Sequence, residues 1–250
     1  ASMKKIILFG FVLGFALLGR AAAQGTFDHS AYDQLLGKYV RGGIVDYAAW
    51  KVKDQQLLVL YLNRVAAANV EKLKTREEKL AFYLNAYNAI VIAQVIENLP
   101  MRSPRDVKGF NDRLKHLVGS KPYTLDELLK KIRTDFPDPR VVFALNSGAL
   151  GDPPMSSHAF RGDSLDAQVQ AATASFLASP KNVRLDKKAK ILYVSRIFDW
   201  NEKDFEASTG SVRNFLKLNM PEEFRLALEA ESYELKYLPF DWSLNGTSGS

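Results

Sequence analysis

The chain of 250 residues contains no cysteine, only three histidines, and no unbroken apolar run of bilayer length. Without thiols there is no disulfide, no cysteine-bound zinc, no thiol nucleophile and no redox pair, so packing alone must hold the fold. The histidines, His29, His116 and His158, share no ligand spacing. The acidic run Asp199, Glu202, Asp204, Glu206 lacks the central glycine of a calcium loop. No metal and no cofactor is therefore expected. Lysines and arginines alternate with acids, as in Lys72 to Lys79, and form no basic stripe with interleaved aromatics. Nucleic acid is accordingly not expected as a partner.

What is present begins with an export pattern. Lys4 and Lys5 precede an apolar run from Ile6 to Leu18, and Ala21-Ala22-Ala23 makes a small-residue cleavage site. Residues 1–23 are expected to be a signal peptide, leaving Gln24 first. The run of 13 residues is short of the ~20 that span a bilayer, so no membrane span is expected after its removal. Three of the cations lie in this segment, and the formal charge of +6 falls to +3 without it. Ala1-Ser2 and residues 246–250 read as cloning remnants, which leaves 24–245 as one globular domain.

The whole chain is 47% hydrophobic, enough for a sizeable core. Tyr32, Leu35, Leu36, Tyr39 and Val40 make one helical stripe, closed by Gly42-Gly43, and a second helix follows through Trp50 and Val65. Two capping boxes, Thr75 with Glu78 and Thr124 with Glu127, open further helices. The first is expected over residues 75–99 and is apolar nearly all round, hence central and buried. Val141 to Leu145 is a continuous apolar run with β-branched residues, expected as a buried strand over 141–146. Short strands are expected near His116, Val183, Ile191 and Leu235. The fold class is α+β, a single mainly helical domain with a small sheet.

Asn85 and Asn88 lie at i and i+3 on the buried helix. A buried amide without partners costs about 1 to 3 kcal/mol, so each either ties down a neighbouring backbone or lines a pocket. Ser147 follows the apolar run, but Leu145 and Ala149 stand where a nucleophile elbow has glycines. Arg161-Gly-Asp163 matches an integrin tripeptide, although Asp163 or Ser164 suits a helix cap better.

Several ordered segments together resemble the Domain of Unknown Function 547 family: Phe27 to Tyr32, Gly43 to Tyr47, Arg76 to Ala89, Tyr123 to Asp126, Asp138 to Arg140 with Phe143 to Asn146, Pro153-Pro154, Ile197 to Trp200 with Asp204-Phe205, and Tyr237 to Asn245. The resemblance implies an exported bacterial protein of unestablished activity. It also implies a Glu-His pair, a histidine and two cysteines at positions that here hold Leu129 and Lys130, Val142, Ser147 and Asp152. Such a set invites comparison with papain-like thiol hydrolases, and this chain lacks every member of it. The expectation is a degenerate site that binds an envelope ligand or protein partner, lined by Asn85, Asn88, Asn146, Ser147 and Asp152. The alternative is a hydrolase with Ser147 as nucleophile and His158 or His116 as base, which requires hydrogen-bond reach between them.

Overall fold

The computed structural model describes Thr26 to Thr247. The expected signal peptide, the new terminus at Gln24 and residues 248–250 lie outside the described residues. The first helix, α1 (Ser30–Tyr39), buries Tyr32, Leu35, Leu36 and Tyr39, the stripe its periodicity predicts. Gly42 and Gly43 then take φ of 57° and 84°, a left-handed pair that turns β1 (Val40–Arg41) into β2 (Ile44–Val45) as a tight hairpin. Helix α2 (Tyr47–Ala67) starts at Asp46, whose side chain accepts from the Ala49 N–H. It is broken at Asp54, which leaves helical geometry and takes bonds from Lys38 Nζ and Tyr39 OH, both at 2.6 Å.

Helix α3 (Arg76–Glu97) carries the Thr75–Glu78 capping box and is buried from Leu80 to Ile96. By length and composition it would cross a membrane, yet 94% of its most apolar window is buried by the surrounding elements. The hairpin β3 (His116–Val118) and β4 (Lys121–Tyr123) leads into α4 (Leu125–Asp135), opened by the Thr124–Glu127 box. Helix α5 (Leu165–Leu177) follows a long loop. Neither Asp163 nor Ser164 caps it through a side-chain bond. Then come β5 (Val183–Asp186), β6 (Ile191–Val194), the short helices α6 (Arg196–Trp200), α7 (Glu202–Thr209), α8 (Val212–Asn219) and α9 (Glu222–Ala230), and β7 (Glu234–Tyr237). Strand β6 pairs antiparallel with β5 and parallel with β7. The α+β reading holds, with three small sheets in place of one.

The expected buried strand over 141–146 is not a strand. Residues Pro139–Ala144 form a 3-10 helix, with Asp138 accepting from the Arg140 N–H and Pro139 in the first turn. The apolar run is explained by its place between two cores, not by a sheet. Val141, Ala144 and Leu145 pack into a core built on α1 to α4. Val142 and Phe143 enter a second core, where the Phe143 ring meets Phe176, Phe198, Phe205 and Phe215. A segment buried on every side shows no period, so strand and helix cannot be told apart by pattern.

Candidate functional site

The loop from Asn146 to Pro154 leaves this 3-10 segment and is held by asparagine side chains. Asn88 Nδ2 donates to the Ala144 carbonyl at 2.9 Å and its Oδ1 accepts from the Asn146 N–H at 3.1 Å. Asn146 donates to the Pro153 carbonyl at 2.7 Å, while its Oδ1 accepts from Gly148 N–H and from Asn245 Nδ2 at 2.7 and 2.9 Å. Tyr47 OH completes the chain by donating to Asn245 Oδ1 at 2.6 Å. Asn85 sits apart from this network. It grips the Phe160 backbone from both sides, at 2.8 and 2.9 Å, much as a neighbouring strand would. All three buried amides the sequence singles out therefore have backbone partners, which is the tying-down role and not the pocket role.

Ser147 and Asp152, at the positions where the resemblance implies cysteines, touch each other. The Asp152 Oδ2 accepts from Ser147 Oγ at 2.6 Å, from Ser147 N–H at 2.7 Å and from Ala149 N–H at 3.2 Å. Burial pushes the Asp152 carboxyl up to about 6, against these bonds, which favour its charged form. A carboxylate oxygen thus occupies the nest of backbone donors that an oxyanion would need, and Gly148 N–H is taken by Asn146.

The imidazoles are engaged elsewhere. His158 is exposed and lies 3.5 Å from Asp33 on α1. His116 Nε2 meets Gln94 Nε2 at 2.8 Å, and His29 Nδ1 meets Tyr61 OH at 2.7 Å. Burial depresses His29 to about 4 and lowers His116 as well. Among the described residues none hydrogen-bonds Ser147, so the Ser147 hydrolase with His158 or His116 as base lacks its dyad. Lys130 is exposed, Leu129 packs on the first core and Val142 on the second. In the acidic run Asp204 pairs with Arg133 at 2.6 Å and Asp199 with Arg196 at 3.2 Å, while Glu202 and Glu206 are exposed. Among the described residues no three His, Asp or Glu side chains converge as metal ligands would.

A cleft of about 660 Å³ lies away from Ser147 and is lined by Phe27, His29, Asp33, Glu78, Arg161 and Asp163. The Arg161-Gly-Asp163 tripeptide thus forms part of its wall, which Asn85 secures through Phe160. Two residues of the polar network escaped prediction, Tyr47 and Asn245. Their one sequence signal was membership of the segments that carry the family resemblance.

Fold and loop together define a helix-rich α+β protein whose polar loop is closed upon itself. Residues 70–177, from before α3 to the end of α5, match the model of the family described as protein of unknown function, DUF547, and that match supports membership of the family. No curated protein and no solved structure matches the chain.

Proposed function

We propose that this is an exported protein of the bacterial envelope that binds a ligand or partner at its 147–152 loop and does not catalyse. Export is supported by the pattern of Lys4-Lys5, the apolar run to Leu18 and the alanines at 21–23. The observation that carries the rest is the Asp152 carboxylate. It fills the donor nest and fixes the Ser147 hydroxyl, so neither an oxyanion site nor a mobile base remains for acyl transfer. Of the five residues expected to line a binding site, Asn85, Asn88 and Asn146 act from behind as buried scaffold. Ser147 and Asp152 are partly exposed and flank Leu150, which is 46% exposed at the loop tip and suits contact with a partner.

The competing hydrolase reading keeps one favourable feature, a carboxyl near 6 at 2.6 Å from the serine oxygen. The test is incubation with a serine-reactive fluorophosphonate followed by intact-mass analysis. No adduct at Ser147 is expected between pH 6 and 8. An adduct at that residue, lost in Asp152→Asn, would establish a Ser–Asp catalyst and end the binding reading.

A further inference from the structure

Outside this loop, positive charge is concentrated in one stretch of the surface. Residues 102–123 hold six cations, Arg102, Arg105, Lys108, Arg113, Lys115 and Lys121, against two acids, Asp106 and Asp112. Their net charge of +4 exceeds the +3 of the whole chain after residue 23, which leaves the rest of the body at −1. All six cations are exposed, and among the described residues only Arg113 is ion-paired, to Asp112 at 3.9 Å. Lys115 precedes β3 and Lys121 opens β4. Between these strands Gly119 and Ser120, at φ of 57° and 65°, make a two-residue turn. The register sets Leu117 opposite Pro122, on the face that looks away from the buried Val118. Both are exposed, Leu117 by 55%, and Leu114, three residues earlier, is exposed by 39%.

The hairpin therefore presents an apolar tip ringed by cations that have no acid to answer them. A partner's strand is poorly served by it. Next to a two-residue turn the bonding of opposed pairs alternates, so the backbone at Pro122 faces the outer edge, where proline has no N–H to give. A soluble anion would engage the cations and leave the apolar side chains in water. An anionic bilayer matches both, because its headgroups attract lysine and arginine and its acyl boundary takes up leucine. Arg105 carries the same surface onto Trp242, 3.6 Å from the ring centroid, and Trp200 and Phe240 pack against that indole. Tryptophan also favours the headgroup level. We propose that residues 102–123 form a peripheral docking face for anionic phospholipid membrane, with Leu114, Leu117 and Pro122 in the headgroup layer and Arg113, Lys115 and Lys121 against the phosphates. This inference needs no membrane span and is independent of the reading of the 147–152 loop.

The test is flotation with vesicles of phosphatidylcholine alone and of phosphatidylcholine mixed equally with phosphatidylglycerol, at low and at high sodium chloride. The chain from Gln24 onward is used; it keeps every described element, and without residues 1–23 the apolar run Ile6 to Leu18 cannot anchor it. Binding is expected to the mixed vesicles only, and to fall with salt. Each cation at an anionic surface is worth about fivefold in affinity, so Lys115→Ala with Lys121→Ala should weaken binding about 20-fold. Lys187→Ala with Lys188→Ala, exposed on the β5–β6 turn, should leave it unchanged. Leu114→Ser and Leu117→Ser should each weaken it severalfold. Matching thermal melts show that these exposed substitutions leave the fold intact. No binding, or equal binding to the neutral vesicles, overturns the proposal. So does an equal loss in the two lysine pairs, which would mean attraction by overall charge. Indifference to both leucine substitutions, with heparin competing for the face, would mark a soluble polyanion site and overturn it as well.

Discussion

At the scale of single residues, Asp152 and His29, both partly buried, contribute to stability in opposite directions as pH changes. Asp152 titrates near 6 when folded, above its ordinary 3.8, because burial outweighs three hydrogen bonds. The folded state then holds the proton more tightly than the unfolded state, so this group favours folding most below pH 4. That advantage is lost as pH rises to about 6. His29 behaves inversely: burial holds it near 4, below its ordinary 6.5, so its contribution grows as pH rises through that interval. A stability curve of the whole protein mixes the two, whereas a comparison with Asp152→Asn isolates one. The urea midpoint of the natural protein should fall relative to that variant between pH 4 and 6 and run parallel to it above 7. A constant offset across the range would mean that burial does not control this carboxyl. The residue pair itself was only half legible in the sequence. Ser147 and Asp152 stood out because the family resemblance marks both positions, but their bond across a five-residue turn has no spacing rule behind it. Tyr47 and Asn245 were less legible still, since 198 positions separate them and only the fold makes them neighbours.

At the scale of elements, legibility follows how local the determining interaction is. Both capping boxes were readable because their two bonds span three residues, and α3 and α4 begin where Thr75 and Thr124 place them. The Pro139–Ala144 segment was not readable, because its shape is fixed by cores on two sides and not by its own pattern. Beyond that packing, one α3 side chain links the segment and the following loop to the helix by hydrogen bonds. Asn88 serves the Ala144 carbonyl and the Asn146 N–H together. Asn88→Ala leaves both buried and unpaired, which should cost about 2 to 4 kcal/mol. Ser147→Ala removes one hydroxyl bond while the Asp152 carboxylate keeps its two backbone donors, so a loss of about 1 kcal/mol or less is expected. Equilibrium urea unfolding measures both. Equal losses would mean that the Ser147 hydroxyl clamps the loop as firmly as the Asn88 amide.

At the scale of the molecule, the chain's end closes what its beginning opens. Val45 N–H donates to the Asn245 carbonyl and Thr247 N–H returns the bond to the Val45 carbonyl, both at 3.0 Å. Residues 246 and 247, expected as part of an added tail, therefore pack as part of the body, and a side chain at Gly246 would strike the Val45 carbonyl. On the other side Leu150 and Gly151 donate to Ser243 and Asp241, Asn245 donates to Gly148, and Leu244 to Arg102. This terminal strap thus joins the β1–β2 hairpin, the segment after α3 and the 147–152 loop, which otherwise belong to distant parts of the sequence. Its hydrophobic anchor, Leu244, is ordinary core packing; the rest is hydrogen bonding, between backbones and through the Asn245 amide to Tyr47 and Asn146. A chain ending at Ser243 should consequently melt about 5 to 15 °C lower than one ending at Thr247, as follows from a loss of several kcal/mol in a domain of this size. Hydrogen exchange should show the loss of protection first at Val45 and in the 147–152 loop, with the five-phenylalanine core unchanged. Equal melting temperatures for the two chains would show that the strap lies on a body already complete without it.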